Sequence, residues 1–364
     1  MSSTETHQEQ NNPERRPRRK ANSELAQALD AIITLAGGDP TRSRSMRIRE
    51  IMHTAVKLID DGSNMGEVKL MSSSLKELRY ALKVFRPYAE TRKISIYGSA
   101  RTPIDHPDYK AAVDFAKAMA QAGWMVITGA GDGIMRAGHD GADRKSSFGV
   151  SINLPFETNA NDIILGDPKL IAFKYFFTRK LTFMWMSHAI ALFPGGFGTQ
   201  DEGFEALTLI QTGKAPLMPI VMVDAPGGDY WKHWENYVKH SLLKNGWISE
   251  DDENLYLVTD DPAEAAQHVL DFYRNYHSAR FVRDTQVLRI QRPLTEEQLD
   301  TLSDDFATLL RSGRITQSGP LPEERKDFPS LPRLQYHSTK RDYGTLRALI
   351  NRINQYDLQN TRIT

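Results

Sequence analysis

Apolar residues recur at helical spacing over three successive stretches, 22–36, 45–61 and 68–85. Leu25, Leu29, Ile32, Ile33 and Leu35 mark the first; Met46, Ile48, Ile51, Met52, Val56 and Ile59 mark the second. They predict a helical extension that docks on the rest of the chain or on a partner subunit. Ahead of them, residues 1 to about 20 are polar and almost free of large apolar side chains. Such a stretch buries too little surface to offset the entropy of ordering, which predicts a disordered tail with its basic run 15–20 solvated.

From about 92 the pattern changes to short apolar runs alternating with amphipathic segments. The runs, read as strands, are 94–97, 124–128, 148–154, 163–165, 189–193, 219–223 and 255–258. The segments between them, read as helices, are 108–122, 133–145, 170–187, 200–212, 229–243 and 262–276. Short runs without strict alternation suit strands covered on both faces, and the βαβ rhythm predicts a parallel sheet with right-handed crossovers. After about 280 a strand is expected at 286–290 and a helix at 294–311, opened by Thr295 with Gln298 as a capping box. A Pro-rich connection (Pro320, Pro322, Pro329, Pro332) then leads to a strand at 333–337 and a helix at 342–355. The expected architecture is a Rossmann-like, doubly wound α/β domain over 91–278. A tail (1–20) and a helical extension (21–90) precede it, and a small α+β appendage (279–364) follows.

Composition narrows the chemistry. The 364 residues are 40% hydrophobic and 25% charged, with a formal net charge of zero. No global charge draws the chain to nucleic acid or to an anionic membrane, so neither is an expected partner. No run of 18 apolar residues is long enough to span a bilayer, and the polar N-terminus lacks the apolar core of a secretory signal. Cysteine is absent, which excludes disulfides, thiolate nucleophiles and Cys-ligated metals. A cytoplasmic setting is expected, with no metal and no cofactor.

In an open parallel sheet, ligands bind at the carboxyl ends of strands, on loops that lead into helix N-termini. Three expected loops there are glycine-rich or polar: Gly98-Ser99-Ala100-Arg101, then Gly129-Ala130-Gly131-Asp132-Gly133-Ile134-Met135, then 194–202. The third reads Pro-Gly-Gly-Phe-Gly-Thr-Gln-Asp-Glu. Gly195, Gly196 and Gly198 let backbone N–H groups approach an anion, Thr199 offers a hydroxyl, and the next helix adds its positive end. A phosphate is the natural occupant. An acid just beyond a phosphate cradle is out of place unless Glu202 faces a sugar or a water; the bland alternative is an acid complementing the helix dipole. Upstream, Lys174, Arg179 and Lys180 stand among aromatic residues that read as core. The second loop has G-x-G-x-G spacing and no ribose-binding acid after the next strand, so it serves a mononucleotide as well as a dinucleotide.

The segment 194–202 fits the P-G-G-x-G-T-x-x-E signature of the Lonely Guy (LOG) family, formerly labelled possible lysine decarboxylases. Gly98-Ser99, the run Gly131 to Met135, and Thr178-Arg179-Lys180 support the match. The resemblance covers roughly 90–275. It implies a phosphoribohydrolase that cleaves the N-glycosidic bond of a nucleoside 5′-monophosphate, AMP or a cytokinin nucleotide, to free base and ribose 5-phosphate. It implies Arg179 and Glu202 as catalytic residues. Gly98, Ser99, Gly129, Gly131, Gly133, Met135, Lys180, Gly195, Gly196, Gly198 and Thr199 are then expected to bind substrate. A homodimer or higher homo-oligomer is implied, with sites at the subunit interface. One departure is Asp132, which stands in a loop where many members carry a run of three glycines followed by a small or Pro residue. A non-catalytic nucleotide sensor or carrier is the second reading. A pyridoxal-dependent decarboxylase would need a Schiff-base lysine, for which only Lys174 and Lys180 stand nearby, with no supporting motif.

Overall fold

The apolar runs from 93 onward assemble into one seven-stranded sheet, all parallel, in the computed structural model of the chain. Residues 15–153, 160–324 and 327–361 are described. The strands are β1 (Lys93–Tyr97), β2 (Met125–Thr128), β3 (Ser147–Ile152), β4 (Leu170–Phe173), β5 (Ala189–Leu192), β6 (Ile220–Val223) and β7 (Tyr256–Thr259), in the order β4-β3-β2-β1-β5-β6-β7. The helices between them are α4 (Pro107–Gln121), α5 (Ile134–Ala142), α6 (Phe176–Met186), α7 (Phe197–Gln211), α8 (Tyr230–Tyr237) and α9 (Pro262–Phe272). The Rossmann-like doubly wound sheet is therefore present. Side chains alternate across it, as the pleat requires. Ile94, Ile96, Val126, Ala189 and Ala191 enter one buried cluster with α4, α5 and α9. Tyr97, Ile127, Ile190 and Leu192 enter the other.

That second cluster runs on without a break into Leu288, Ile290, Leu334, Leu349 and Ile353. The last two lie on the final helix, and the first three belong to a four-stranded antiparallel sheet, β8 (Tyr276–Val282), β9 (Thr285–Ile290), β10 (Leu310–Ser318) and β11 (Arg333–Ser338), ordered β10-β11-β9-β8. It is joined by α10 (Glu296–Asp305), which opens on the expected Thr295/Gln298 capping box, and by α11 (Tyr343–Thr361). The C-terminal segment thus shares a core with one face of the main sheet.

The chain divides into compact units at Leu75/Lys76. The first holds α1 (Arg15–Leu35), α2 (Ser43–Asp60) and the start of α3 (Met65–Phe85). Leu29 and Ile33 are buried there, and Arg49 pairs with Asp30 at 2.9 Å. In the second unit α3 continues, with Ala81 and Phe85 buried and the Phe85 ring stacked on Phe148 at 4.2 Å.

Several expectations need correction. Helix α1 starts at Arg15, not near 22, so 15–20 is helical; Pro17 is tolerated because the first turn leaves its N–H groups unbonded in any case. Residues 1–14 of the expected tail lie outside the described residues, as does Leu154 at the end of the expected third strand. Residues 163–165 form a turn in which Ile164 and Leu165 donate to the Asn161 carbonyl. The strand lies instead at β4, inside the stretch expected to be helical, because a short apolar run does not reveal its period. Strands β8 and β10 were not expected at all. β8 turns into β9 through Arg283-Asp284, with Arg283 at φ 56°, where the usual signal is Asn-Gly. β10 is a polar edge strand with register shifts, so hydrophobic alternation never marks it.

Candidate functional site

The strand order reverses between β1 and β5, and in open parallel sheets ligands bind beyond the carboxyl ends of the strands at such a switch point. The loops after β1, β2 and β5 meet there. Ser99 N–H donates to the Pro194 carbonyl at 3.0 Å, and Ile134 N–H donates to the Ser99 carbonyl at 3.0 Å. Three segments read separately along the chain are thereby laced into one wall. Two glycines are demanded by this lacing. Gly133 has φ 61°, and any Cβ there would collide with the Ser99 carbonyl. A Cβ on Gly195 would collide with the Thr199 hydroxyl and stand 2.9 Å from Ser99 N. Gly98 packs against Ile134, while Gly129 and Gly131 pack against the Met135 thioether.

Gly196 and Gly198 differ. A Cβ on either would meet nothing within 4 Å, so packing does not require glycine there. Both belong to the start of α7, whose N-cap residue, Gly196, supplies no side-chain cap. The first N–H groups of the helix thus have no side-chain cap and no Cβ beside them at 196 and 198, the arrangement that receives an anion. Thr199 is buried beneath them.

Arg179 and Glu202 come together at this end of the sheet. Arg179 stands in the first turns of α6 and is 8% exposed. Its Nε donates to the Val150 carbonyl of β3 at 2.9 Å, and its guanidinium lies over Phe183, 5.2 Å from the ring centre. One guanidinium nitrogen, Nη1, lies 3.9 Å from Glu202 Oε1. Burial pushes the Glu202 carboxyl up to about 7 from its ordinary 4.5, although Arg179 and Lys180 pull it down. A carboxyl titrating near neutrality is suited to taking up and giving back a proton. Lys180 faces elsewhere: its ammonium bridges Asp201 at 2.6 Å and Glu205 at 2.9 Å on α7. Asp132 is exposed on the second loop.

Further residues, invisible to motif reading, hold the site. The second loop contains Ala130 at φ 64°, a costly conformation for a non-glycine. It is held by Thr128 Oγ1, which accepts from Ala130 N–H at 3.0 Å. Asn161 N–H donates to the Ala130 carbonyl at 2.8 Å, and Asn161 Nδ2 donates to the Gly131 carbonyl at 2.9 Å. Buried His139 completes the network, with Nε2 3.0 Å from Thr128 Oγ1 and Nδ1 3.1 Å from Asn161 Nδ2. Burial lowers the His139 pKa, which favours the neutral ring. On the third loop, the Tyr230 hydroxyl donates to the Gly195 carbonyl at 2.5 Å and accepts from Gln200 Nε2 at 2.6 Å. Tyr230 opens α8, beyond the strand next to β5, and topology is the one signal that would have drawn attention to it. Among the described residues, no group of three His, Asp or Glu side chains is placed to hold a metal ion. No described helix is long and apolar enough to cross a membrane.

Comparison with solved structures finds several partial likenesses. The X-ray structure of TM1055 is 17% identical, covers 50% of this chain and 99% of its own, and has a TM-score of 0.36. The molybdenum cofactor carrier protein from Chlamydomonas reinhardtii is 20% identical over 50% of this chain and 96% of its own, with a TM-score of 0.35. The molybdenum cofactor binding protein from Rippkaea orientalis is 18% identical over 50% and 95%, also at 0.35. Likeness at this level carries no functional information. Comparison with curated protein sequences finds no match. The family model described as "Possible lysine decarboxylase" matches residues 130–269, which run from the second glycine loop through the third to α9. The matched segment holds the signature at 194–202 and two of the three loops gathered at the switch point, and is thus similar to that family, the one also called LOG.

Proposed function

We propose that the protein hydrolyses the N-glycosidic bond of a nucleoside 5′-monophosphate, with AMP or a cytokinin nucleotide as substrate. The observation that carries this reading is the largely buried Glu202 carboxyl, titrating near 7 beside Arg179, at the rim of a glycine loop whose helix N-terminus has no side-chain cap. The 5′-phosphate binds the N–H groups at 196–199, and its binding energy orients the sugar. The glycosidic bond breaks with positive charge growing on the ribose, as in sugar hydrolysis generally. Glu202, as the carboxylate, contacts the ribose hydroxyls and accepts a proton from the attacking water, and solvent returns a proton to the departing base. Arg179 neutralises the phosphate or the departing base. The products are free base and ribose 5-phosphate.

A homodimer is part of the proposal. On α6, the helix that carries Arg179, Phe176, Phe177, Leu181 and Trp185 are roughly half or more exposed, and Phe197 on the signature loop is almost fully so. A second copy of the chain covers them. The Schiff-base alternative is disfavoured by the Lys180 geometry. Burial would lower that ammonium's pKa, but Asp201 and Glu205 outweigh it and hold it charged.

The experiment is chromatographic detection of adenine from AMP and of the free base from isopentenyl-AMP. Wild type is expected to release base, and Glu202→Ala and Arg179→Ala to lose at least about 100-fold in kcat. Tight AMP binding without base release over hours would make the protein a nucleotide carrier or sensor. Full activity in Glu202→Ala sinks the hydrolase.

A further inference from the structure

The helix that leads into the main domain reaches the site through one side chain. Glu77, Ala81 and Phe85 follow at four-residue intervals on α3 and so share a face. Phe85 and Ala81 are buried, Phe85 against Phe148 of β3. Glu77, at the other end of that face, meets the start of α6. Its Oε1 accepts from the Lys174 backbone N–H at 2.9 Å, and its Oε2 accepts from the Thr178 hydroxyl at 2.6 Å. The N-cap residue of α6, Tyr175, makes no side-chain cap of its own. A carboxylate from a different helix therefore stands at this end, where the helix dipole favours negative charge, and grips the chain just before the N-cap and the Thr178 side chain in the first turn. The residue after Thr178 is Arg179, whose backbone N–H already belongs to this first turn, donating to the Tyr175 carbonyl at 3.2 Å. From that turn the Arg179 side chain reaches the Val150 carbonyl on one side and Glu202 on the other.

We propose that Glu77 is a positioning residue, which ties the start of α6 to α3 and fixes where the Arg179 guanidinium stands relative to Glu202. The inference rests on the hydrolase reading for its activity readout. A misplacement of about 1 Å in a catalytic group can cost up to 100-fold in rate. Losing two hydrogen bonds at a helix start lowers stability too, so the test needs a readout that stability alone does not move. The acid limb of the pH–rate profile supplies it. Glu202 is faced by Arg179 and Lys180 from α6, by Asp201 and Glu205 on α7, and by Tyr97 from β1. Among these, Arg179 is the largest influence holding its carboxyl down. If α6 shifts and takes Arg179 away, that limb moves to higher pH.

The experiment measures adenine release from AMP by full-length wild type, Glu77→Ala, Thr178→Val and the double variant, between pH 5 and 9, beside thermal melts. Expected are a 10- to 100-fold fall in kcat for Glu77→Ala, a KM for AMP changed much less, and an acid limb displaced upward. Thr178→Val should do the same in smaller measure, with the double variant no worse than Glu77→Ala, as for two halves of one contact. A folded Glu77→Ala with wild-type kcat and limb overturns the proposal, whatever its melting temperature, and so does additive loss in the double variant. If Glu77→Ala does not fold, Thr178→Val decides by the same criteria. If wild type binds AMP but releases no adenine, the hydrolase reading fails separately. Calorimetric AMP affinity then decides: Glu77→Ala weakened alongside Arg179→Ala supports positioning, and a wild-type affinity in Glu77→Ala refutes it.

Discussion

At pH 7 the Glu202 carboxyl is close to half-protonated in the folded protein, whereas in the unfolded chain it titrates near 4.5. Between those values the folded state holds the extra proton, so stability falls as pH rises from about 4.5 through about 7. Glu202→Gln removes that fall. The variant is expected to gain roughly 1–3 kcal/mol over wild type at pH 8 and little at pH 4.5, read from urea melts at both values. Equal gains at both would argue against a strained carboxyl. If the carboxylate is the working base, kcat/KM for AMP rises with pH through about 7 and levels above it. The glycines give a paired prediction. Gly133→Ala meets the Ser99 carbonyl at positive φ and is expected to cost about 2 kcal/mol or more. Gly198→Ala enters open space at the start of α7, so its melting temperature should hold or rise while AMP affinity drops at least about tenfold. An unchanged affinity there would remove the phosphate from this loop. At this scale the candidate residues were legible because a glycine string, a Thr and an acid in order have few structural uses. The shifted pKa of Glu202 was not, since it depends on what buries the carboxyl.

Elements owe their places to contacts that local pattern does not carry. The second loop keeps Ala130 at positive φ because Thr128 and Asn161 satisfy its backbone, and His139 holds both of their side chains. Asn161→Ala is expected to lower stability by about 2–3 kcal/mol and weaken AMP binding, checked by thermal melts and calorimetry. Loss of stability with unchanged affinity would separate the network from the site. In the appendage, Glu324 is fully buried between Arg289 (2.7 Å) and Arg333 (2.9 Å). Burial raises its carboxyl, but hydrogen bonds from Arg333, the Leu321 backbone and Arg289 outweigh that and hold it at about 2. Its contribution is therefore complete above about pH 4.5 and is lost as pH falls toward 2. Glu324→Ala leaves two guanidinium groups without their shared carboxylate, at an expected cost of about 3–5 kcal/mol, read by urea denaturation at pH 7. The same dependence on partners explains the strands that pattern reading misplaced. β4 is helix-like in composition until β3 pairs with it, and polar β10 exists because β11 supplies its hydrogen bonds.

For the whole molecule, a continuous core beneath the main sheet and the antiparallel sheet joins them within the compact unit that begins at Lys76. A chain ended after Asn275 would lose Leu288, Ile290, Leu334 and Leu349 from that core, and is expected in the insoluble fraction on expression. A soluble, cooperatively melting product would show the appendage to be separable. The proposed dimer predicts a mass by light scattering of twice the chain, reduced by Trp185→Glu, which puts a charge on the apolar face of α6. By itself, the sequence determined the βαβ rhythm, the absence of thiol chemistry and the glycine-rich segments with their trailing acid, because periodicity and residue chemistry are local properties. Tertiary structure alone decided that the three loops share one wall, that Arg179 stands 3.9 Å from Glu202, and that Glu77, Asn161, His139 and Tyr230 support them. Those relations join positions as far as a hundred residues apart. They are set by strand order and by burial, and neither is written in any single stretch of chain.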